Sequence, residues 1–360
     1  MRVVSRVPDA AVAQPPLAAF TTLHLGGPAR RLTEARDEAA LVEALRAADA
    51  DAEPVLLLAG GSNLVVADAG FDGTAVRVLT RGVTLQRRDT GVVRVTAQAG
   101  EDWDALVAAC VADGLAGVEC LAGIPGSVGA TPIQNVGAYG QEVAQTVASV
   151  RVLDRRTGEV CGLAATDCGF GYRTSAFKRD PGRWVVLAVA FDLHASGAGS
   201  PVAYAELARA LGIELGAAAP LAATRDAVLA LRRGKGIVVD PADPDSVSAG
   251  SFFTNPVLTP EAFEALAARA APERPPSWPE ADGRVKTSAA WLIQRAGFER
   301  GHPGPPSRVG ISAKHTLALV NRGGATTAEL VALAREIAGG VRDAFGVALH
   351  PEPVFVGHTW

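Results

Sequence analysis

The chain has 360 residues, 48% of them hydrophobic, enough to bury a core in each of two or three domains. Its 34 basic and 38 acidic side chains leave a net charge of -4, which provides no electrostatic footprint for nucleic acid or an anionic membrane surface. The amino terminus, MRVVSRVPDAAVAQPP, lacks the continuous apolar core of a signal peptide, and no stretch approaches the roughly 20 apolar residues of a membrane-spanning helix, so a cytoplasmic protein without membrane insertion is expected.

In chain order, Asp37 to Asp49 places Leu41, Leu45 and Ala48 on one face, as an amphipathic helix does. Val55 to Ala59 is an all-apolar run of the kind that makes a buried strand, and it ends on two glycines. Val83 to Arg88 and Val92 to Ala99 flank DTG as a hairpin, and Trp103, Leu106, Val107, Cys110 and Val111 form a helical stripe closed by Gly114. A second hairpin spans Ser149 to Val160, a strand covers Trp184 to Leu193, and a helix covers Asp226 to Arg233. Between the last two, HASGAGSPVA has no periodicity and is expected to be a surface loop leading to Tyr204. KGIVVDPADPDSVSAG is a proline-broken connection that marks a domain boundary. GSFFTNPV, Gly250 to Val257, fits neither a helix nor an alternating strand. Beyond it come a helix at Ser288 to Arg295 stopped by Gly297, a helix opened by a Thr326/Glu329 capping box, and a terminal strand in VALHPEPVFVG.

Cys110, Cys120, Cys161 and Cys168 have no CxxC spacing and no neighbouring histidine pairs, which points to structural thiols and no metal site. Lysine occurs only at 178, 235, 286 and 314, arginine carrying nearly all the positive charge. Two glycine-rich stretches carry the chemistry. AGGSNL (Ala59 to Leu64) follows a buried strand, and glycine there permits positive φ and close approach of backbone N–H groups to an anion. AGIPGSVGATPIQNVGAYG (Ala122 to Gly140) contains no charged residue, so it can hold a pyrophosphate only through backbone amides and hydroxyls. Its Gly123, Gly126 and Gly129 follow GxxGxxG, which is neither the GxGxxG Rossmann fingerprint nor a Walker sequence.

The pairing of these two stretches resembles the FAD-binding half of the vanillyl-alcohol-oxidase/PCMH flavoproteins, and in particular the UDP-N-acetylenolpyruvoylglucosamine reductases. GYRTSAFK (Gly171 to Lys178), GSFFTNPV, KTSAAWLIQRAGF (Lys286 to Phe298), ISAKHTLALVN (Ile311 to Asn321) and HPEPVFVG (His350 to Gly357) resemble that family's blocks in the same order, so the likeness covers Phe20 to Gly357. It implies an α+β chain: a two-part FAD-binding PCMH-type domain, at 15–88 and 89–238, followed by a smaller α/β substrate-binding domain at 239–347. Residues 348–360 would form a C-terminal strand and tail returning to the active site.

The resemblance also implies chemistry. Family enzymes take hydride from NADPH onto FAD and deliver it to the vinyl carbon of an enolpyruvyl ether on UDP-N-acetylglucosamine, giving UDP-N-acetylmuramate for peptidoglycan. FAD contacts would come from Gly60, Gly61, Ser62, Asn63 and Leu64 in the first stretch and from Gly123, Ile124, Pro125, Gly126, Ser127, Gly129 and Ala130 in the second. Some relatives in the superfamily bond flavin to a histidine near the first glycine loop, whereas this chain has Ser62 and Asn63 there, so non-covalent FAD is expected. Arg173 corresponds to the catalytic arginine, whose planar fork matches a carboxylate. Glu352 corresponds to the family's glutamate, expected to hydrogen-bond a developing enediolate as the protonated acid. Ser251 corresponds to the proton donor, and no GxSxG elbow or His/Asp pairing in the sequence suggests a hydrolase nucleophile instead. Tyr172, Tyr204, Lys235, Asn255 and His315 fall where substrate contacts lie, with Arg232 or Arg233 able to stand in for Lys235 and Tyr204 marking the tyrosine-loop type. The implied kinetics are ping-pong, in a monomer, with NADPH and the UDP-sugar using one cleft in turn. Two alternatives stay open: another PCMH-type FAD oxidase or dehydrogenase acting on a sugar or hydroxy acid, and a colourless nucleotide-sugar-binding protein.

Overall fold

Residues 14–88 and 90–360 are described by the structure, a computed structural model. The first module is a three-stranded parallel sheet in the order β1-β4-β2, built from β1 (Ala29–Ala35), β2 (Val55–Leu58) and β4 (Phe71–Val78), with β3 (Leu64–Val66) set apart from it. Its strands bury both faces: Ala75 and Leu58 point into one core, whereas Val76 and Val78 point into another. Helix α1 (Glu38–Ala50) starts where the Asp37 side chain accepts the Ala40 N–H at 2.8 Å, and its Leu41 and Leu45 enter the larger of these cores.

The second module is an antiparallel sheet in the order β11-β10-β12-β6-β5, from β5 (Val83–Arg87), β6 (Val92–Gln98), β10 (Val147–Asp154), β11 (Glu159–Ala164) and β12 (Trp184–Ala195), with β7 (Leu115–Ala116) on β12. The short pair β8 (Gly137–Ala138) and β9 (Gln141–Glu142) lies between β7 and β10. Helix α2 (Trp103–Ala112) puts Trp103 against Phe191, ring centroids 5.6 Å apart, with its indole N–H donated to the Leu121 carbonyl. Helices α3 (Ala176–Arg179), α4 (Ala205–Leu211) and α5 (Leu221–Gly234) complete the module.

The third module carries two small antiparallel sheets, β13-β18-β17 and β14-β16-β15, and three helices. Its elements are β13 (Ser248–Ser251), β14 (Val257–Leu258), α6 (Pro260–Ala270), β15 (Ser277–Pro279), β16 (Val285–Thr287), α7 (Ala289–Arg295), β17 (Val309–Ile311), β18 (Ala318–Asn321) and α8 (Thr327–Phe345). Its core of Phe252, Phe253, Leu292, Ile311, Leu330 and Ile337 also takes in Leu23, Leu25 and Val65 from the start of the chain. The last strand, β19 (Val354–Val356), pairs in parallel with β3, Val354 opposite Leu64.

Four expectations need correction. The helix expected from Asp226 begins five residues earlier, at Leu221, directly after Pro220, whose fixed φ suits a helix start. HASGAGSPVA is not wholly a surface loop: β12 runs on to Ala195, Val202 is buried, and the fully buried Glu119 carboxylate accepts the Ser200 N–H at 2.6 Å. VALHPEPVFVG is a strand only at Val354–Val356, because Pro351 and Pro353 have no N–H to give a ladder. GSFFTNPV is not strandless, since Gly250 and Ser251 close β13.

The third module is fastened to the first through the start of α8. The Thr326 hydroxyl accepts the Glu329 N–H, while Asp68 accepts the Thr327 N–H at 2.7 Å and the Ala328 N–H at 3.0 Å. Thr327 Oγ1 donates to the Val66 carbonyl at 2.6 Å. Asp68 thus satisfies two free amides of a helix 259 positions away and sits at its positive end. Asp68→Ala should lower unfolding stability by about 1–2 kcal/mol, read as a fall in the urea midpoint, with Asp68→Asn intermediate because its single carbonyl serves one amide well. An unchanged midpoint in the alanine variant would show that apolar packing alone holds the junction.

Candidate active site

The two glycine-rich connections pack against each other. A Cβ on Gly60 would come within 2.6 Å of Gly126 Cα, and the Ser62 hydroxyl donates to the Pro125 carbonyl at 2.9 Å. Gly126 has φ +124°, a conformation closed to other residues. Together they line a cleft to which Ser62, Asn63, Ile124, Pro125, Gly126, Ser127 and Ala130 contribute. Arg173, Ser251 and Glu352 line the same cleft, so three elements distant in sequence converge on the glycine loops. Of the other loop positions, Gly60 borders an adjoining hollow with Phe20, Thr21 and Arg77, Gly129 packs on Ala99, and the Gly123 N–H is donated to Asp104.

Ser251 owes its position to an irregular ladder. The pairing of β13 with β18 slips between Ser248 and Ser251, and Gly250 takes φ +70° there, as a bulge that re-aims a side chain requires. Phe252 and Phe253, each 1% exposed, then anchor the segment in the third core. Ser251 Oγ lies 3.5 Å from His315 Nε2. Burial, reinforced by the Lys235 and Arg232 charges, pushes the His315 pKa down to about 4, so the imidazole is neutral at pH 7.

Arg173 sits in a tight turn in which Gly171 and Thr174 exchange backbone hydrogen bonds of 3.0 and 3.2 Å. Its φ of +51° is unusual for a side-chain-bearing residue, and Asn135 and Tyr139 nearby share the left-handed conformation. The guanidinium donates to the Gly137 carbonyl at 2.8 Å, and its Nε lies 3.3 Å from Glu352 Oε1. Lys178 Nζ donates to the Arg173 carbonyl at 3.1 Å and to Gln134 Oε1 at 3.0 Å, and burial lowers the lysine pKa. One lysine of the four in the chain therefore braces the turn that presents the arginine.

The remaining candidates, Tyr172, Tyr204, Lys235 and Asn255, are not among the residues that line the cleft. Lys235 Nζ is 5.4 Å from the Tyr139 ring, which meets Tyr204 edge-on. Tyr172 has its ring 4.8 Å from Lys286 Nζ, and burial raises its pKa. Asn255 uses its side-chain carbonyl to accept the Ala289 N–H at 3.0 Å, so it caps α7. The cysteines at 110, 120 and 168 are buried, with thiol pKa values pushed up to about 12, 12 and 11 by desolvation, and they contribute nothing reactive to the cleft.

Sequence reasoning treated Arg232 only as a neighbour of Lys235, yet it lines the cleft at 8% exposure. Its pKa is pushed down by burial to about 10, which leaves it cationic at pH 7, and its Nε has no hydrogen-bond partner. Ser127 Oγ is likewise buried and unpartnered. Orphaned donors of this kind are costly without a ligand. A neutral, glycine-lined cradle with an unpartnered hydroxyl and a buried cation suits a large anionic cofactor such as FAD. A run of two arginines before a lysine carried no signal by itself for which of them faces inward, although Arg232 is the next step of the Leu221, Val228 and Leu229 stripe.

Residues 29–164 match the model of an FAD binding domain, and residues 241–356 match that of the UDP-N-acetylenolpyruvoylglucosamine reductase C-terminal domain. The chain is 56% identical over 350 residues to the UDP-N-acetylenolpyruvoylglucosamine reductase of Thermobifida fusca, covering 96% of this chain and 97% of that protein. It is 58% identical over 342 residues to the one from Salinispora arenicola, covering 94% of each. The crystal structure of the Thermus caldophilus UDP-N-acetylenolpyruvylglucosamine reductase superimposes with a TM-score of 0.63 at 25% identity, over 95% of this chain and 97% of that one. By sequence over nearly its whole length and by fold, the chain belongs to the UDP-N-acetylenolpyruvoylglucosamine reductase family.

Proposed function

We propose that the protein reduces the enolpyruvyl ether of UDP-N-acetylglucosamine to UDP-N-acetylmuramate, with FAD as its cofactor and NADPH as the reductant. The observation that carries this reading is the convergence of both glycine loops with Arg173, Ser251 and Glu352 on one cleft. Bound in that cleft, FAD would supply the hydride chemistry that links NADPH to the vinyl carbon of the substrate. Backbone amides of the glycine loops, the free Ser127 hydroxyl and the Arg232 guanidinium are the groups that would hold its anionic portion.

The chain's own residues then manage the charge that hydride addition creates. Negative charge develops on the adjacent carbon and its carboxylate, and Arg173 answers it with a fixed guanidinium. Its present partner, Glu352, shares that guanidinium until the substrate carboxylate arrives. Ser251 Oγ–H gives its proton to the carbanionic carbon, completing the C–H bond of the lactyl ether. A hydroxyl is a weak acid and can do this only for a strong base, which places protonation after hydride addition. His315, held neutral beside Ser251, orients that hydroxyl without adding positive charge. Tyr172, Tyr204, Lys235 and Asn255 stand as the contacts for the sugar and diphosphate. A cytoplasmic, monomeric enzyme goes with this reading, and among the described residues no helix is long and apolar enough to cross a membrane.

Three outcomes are expected. Under anaerobic stopped-flow, NADPH should bleach the yellow protein and the enolpyruvyl UDP-sugar should restore its colour; rapid recolouring by oxygen with no need of the sugar would favour an oxidase of the same superfamily. Ser251→Ala should leave bleaching by NADPH fast and slow recolouring by about 10²- to 10⁴-fold, and equal slowing of both would remove the proton-donor role. The third concerns pH. His315 has a folded-state pKa near 4 against ~6.5 unfolded, so the unfolded chain binds more protons between these values. That contribution to stability is complete above ~6.5 and is lost as pH falls toward 4; His315→Gln should flatten the decline in the urea midpoint across this window, and an unaltered slope would refute the assignment.

A further inference from the structure

Lys235 caps the C-terminal end of α5, and its ammonium is already engaged. Its Nζ donates to Glu206 Oε2 at 2.6 Å, in an ion pair whose side chains are 28% and 34% exposed. Glu206 lies two residues beyond Tyr204 in the first turn of α4, and Tyr204 packs edge-on against Tyr139, whose ring faces the same ammonium. The pair is not what holds α4 to the fold, because the fully buried Leu207 and Val228 already place both helices in the main core. An aromatic-flanked cation, lining a hollow with Glu206 beside the cleft, is therefore matched to a carboxylate that is accessible enough to let go.

We propose that Glu206 is an internal competitor for diphosphate, its carboxylate holding Lys235 between binding events and giving way to each incoming diphosphate ligand. The inference rests on Lys235 being a diphosphate contact. Both substrates of the proposed reaction carry a diphosphate, and ping-pong turnover requires one to leave before the other enters. A resident carboxylate lowers the net gain from either ligand, because binding must first break an existing ion pair, and on departure it recaptures the ammonium at once. Glu206 thus trades affinity for release at the one cation that both ligands would share.

The test uses the FAD-loaded protein and UDP as the probe, with binding measured by isothermal titration calorimetry. Glu206→Gln keeps the shape and removes the charge, and it should tighten UDP about fivefold, whereas loss of a merely structural contact would weaken it. Glu206→Ala should tighten UDP as well, which separates charge competition from any new hydrogen bond made by glutamine. Lys235→Met should weaken UDP, and adding Glu206→Gln to it should then change nothing. Unchanged or weaker binding in both Glu206 variants, with Lys235→Met still weakening UDP, overturns the competitor role alone. Unchanged binding in Lys235→Met overturns the diphosphate contact and the competitor with it. Tightening by Glu206→Gln that persists without Lys235 also overturns the proposal, since the effect would not pass through the ammonium.

Discussion

The parallel pairing of β19 with β3 is the constraint on which the site depends. Val354 N–H is donated to the Asn63 carbonyl at 2.9 Å, stitching the end of the chain to the first glycine loop. On its other side the same segment meets the serine-bearing stretch: Glu352 N–H is donated to the Phe252 carbonyl at 2.8 Å and Thr254 N–H to the His350 carbonyl at 3.0 Å. A strap of seven residues, His350 to Val356, therefore lies between the cofactor cradle and the third module. Glu352 is fixed by backbone hydrogen bonds rather than by its side chain, which leaves the carboxyl free to face Arg173. Two prolines keep the strap extended without offering donors of their own, and Phe355 and the chain's last tryptophan pack on Phe252 behind it.

Charge is concentrated where the rest of the chain is balanced. Arg173 and Arg232 line the cleft, with Lys178 bracing the arginine turn and Lys235 outside the lining, in a protein whose net charge is -4. Their states differ for physical reasons. Arg232 keeps its charge although burial lowers its pKa to about 10, because guanidinium starts so high; His315, beside the same cations, cannot. Arg232 thus stays cationic at pH 7, and the one imidazole next to Ser251 stays neutral. Lys178 spends its ammonium on a side-chain and a main-chain carbonyl, acting as a brace where Arg173 and Lys235 have carboxylates to face.

Backbone conformation is the other means of aiming these groups. Arg173, Asn135 and Tyr139 all adopt positive φ, and Asn135 ties the group together by donating to Glu142 at 2.7 Å and to the Gly171 carbonyl at 3.1 Å. Such conformations cost of order 1–3 kcal/mol each and persist only when surrounding contacts overdetermine them. Here the uncharged glycine loop supplies those contacts through its own carbonyls, at Gly137 and Asn135, so the same loop that lines the cofactor cradle also orients the arginine.

Much of the fold was legible from residues alone. Helical stripes and caps located α1, α2, α7 and α8 to within a residue or two, because an N-cap and a 3.6-residue apolar period are local properties of the chain. The ordered motif blocks pointed to the family and to Arg173, Ser251 and Glu352 as candidates. Tertiary structure alone decided the rest. That Arg232, the next step of the Leu221, Val228 and Leu229 stripe, enters the cleft and Arg233 does not depends on how α5 packs. The bulge at Gly250, the buried Glu119 under the Tyr204 loop and the Lys235–Glu206 pair all join residues that the chain keeps apart, by 81 positions in the case of Glu119 and Ser200. Local pattern specifies which groups exist and which element carries them; long-range backbone pairing, with β19 on β3 foremost, specifies what each of those groups faces.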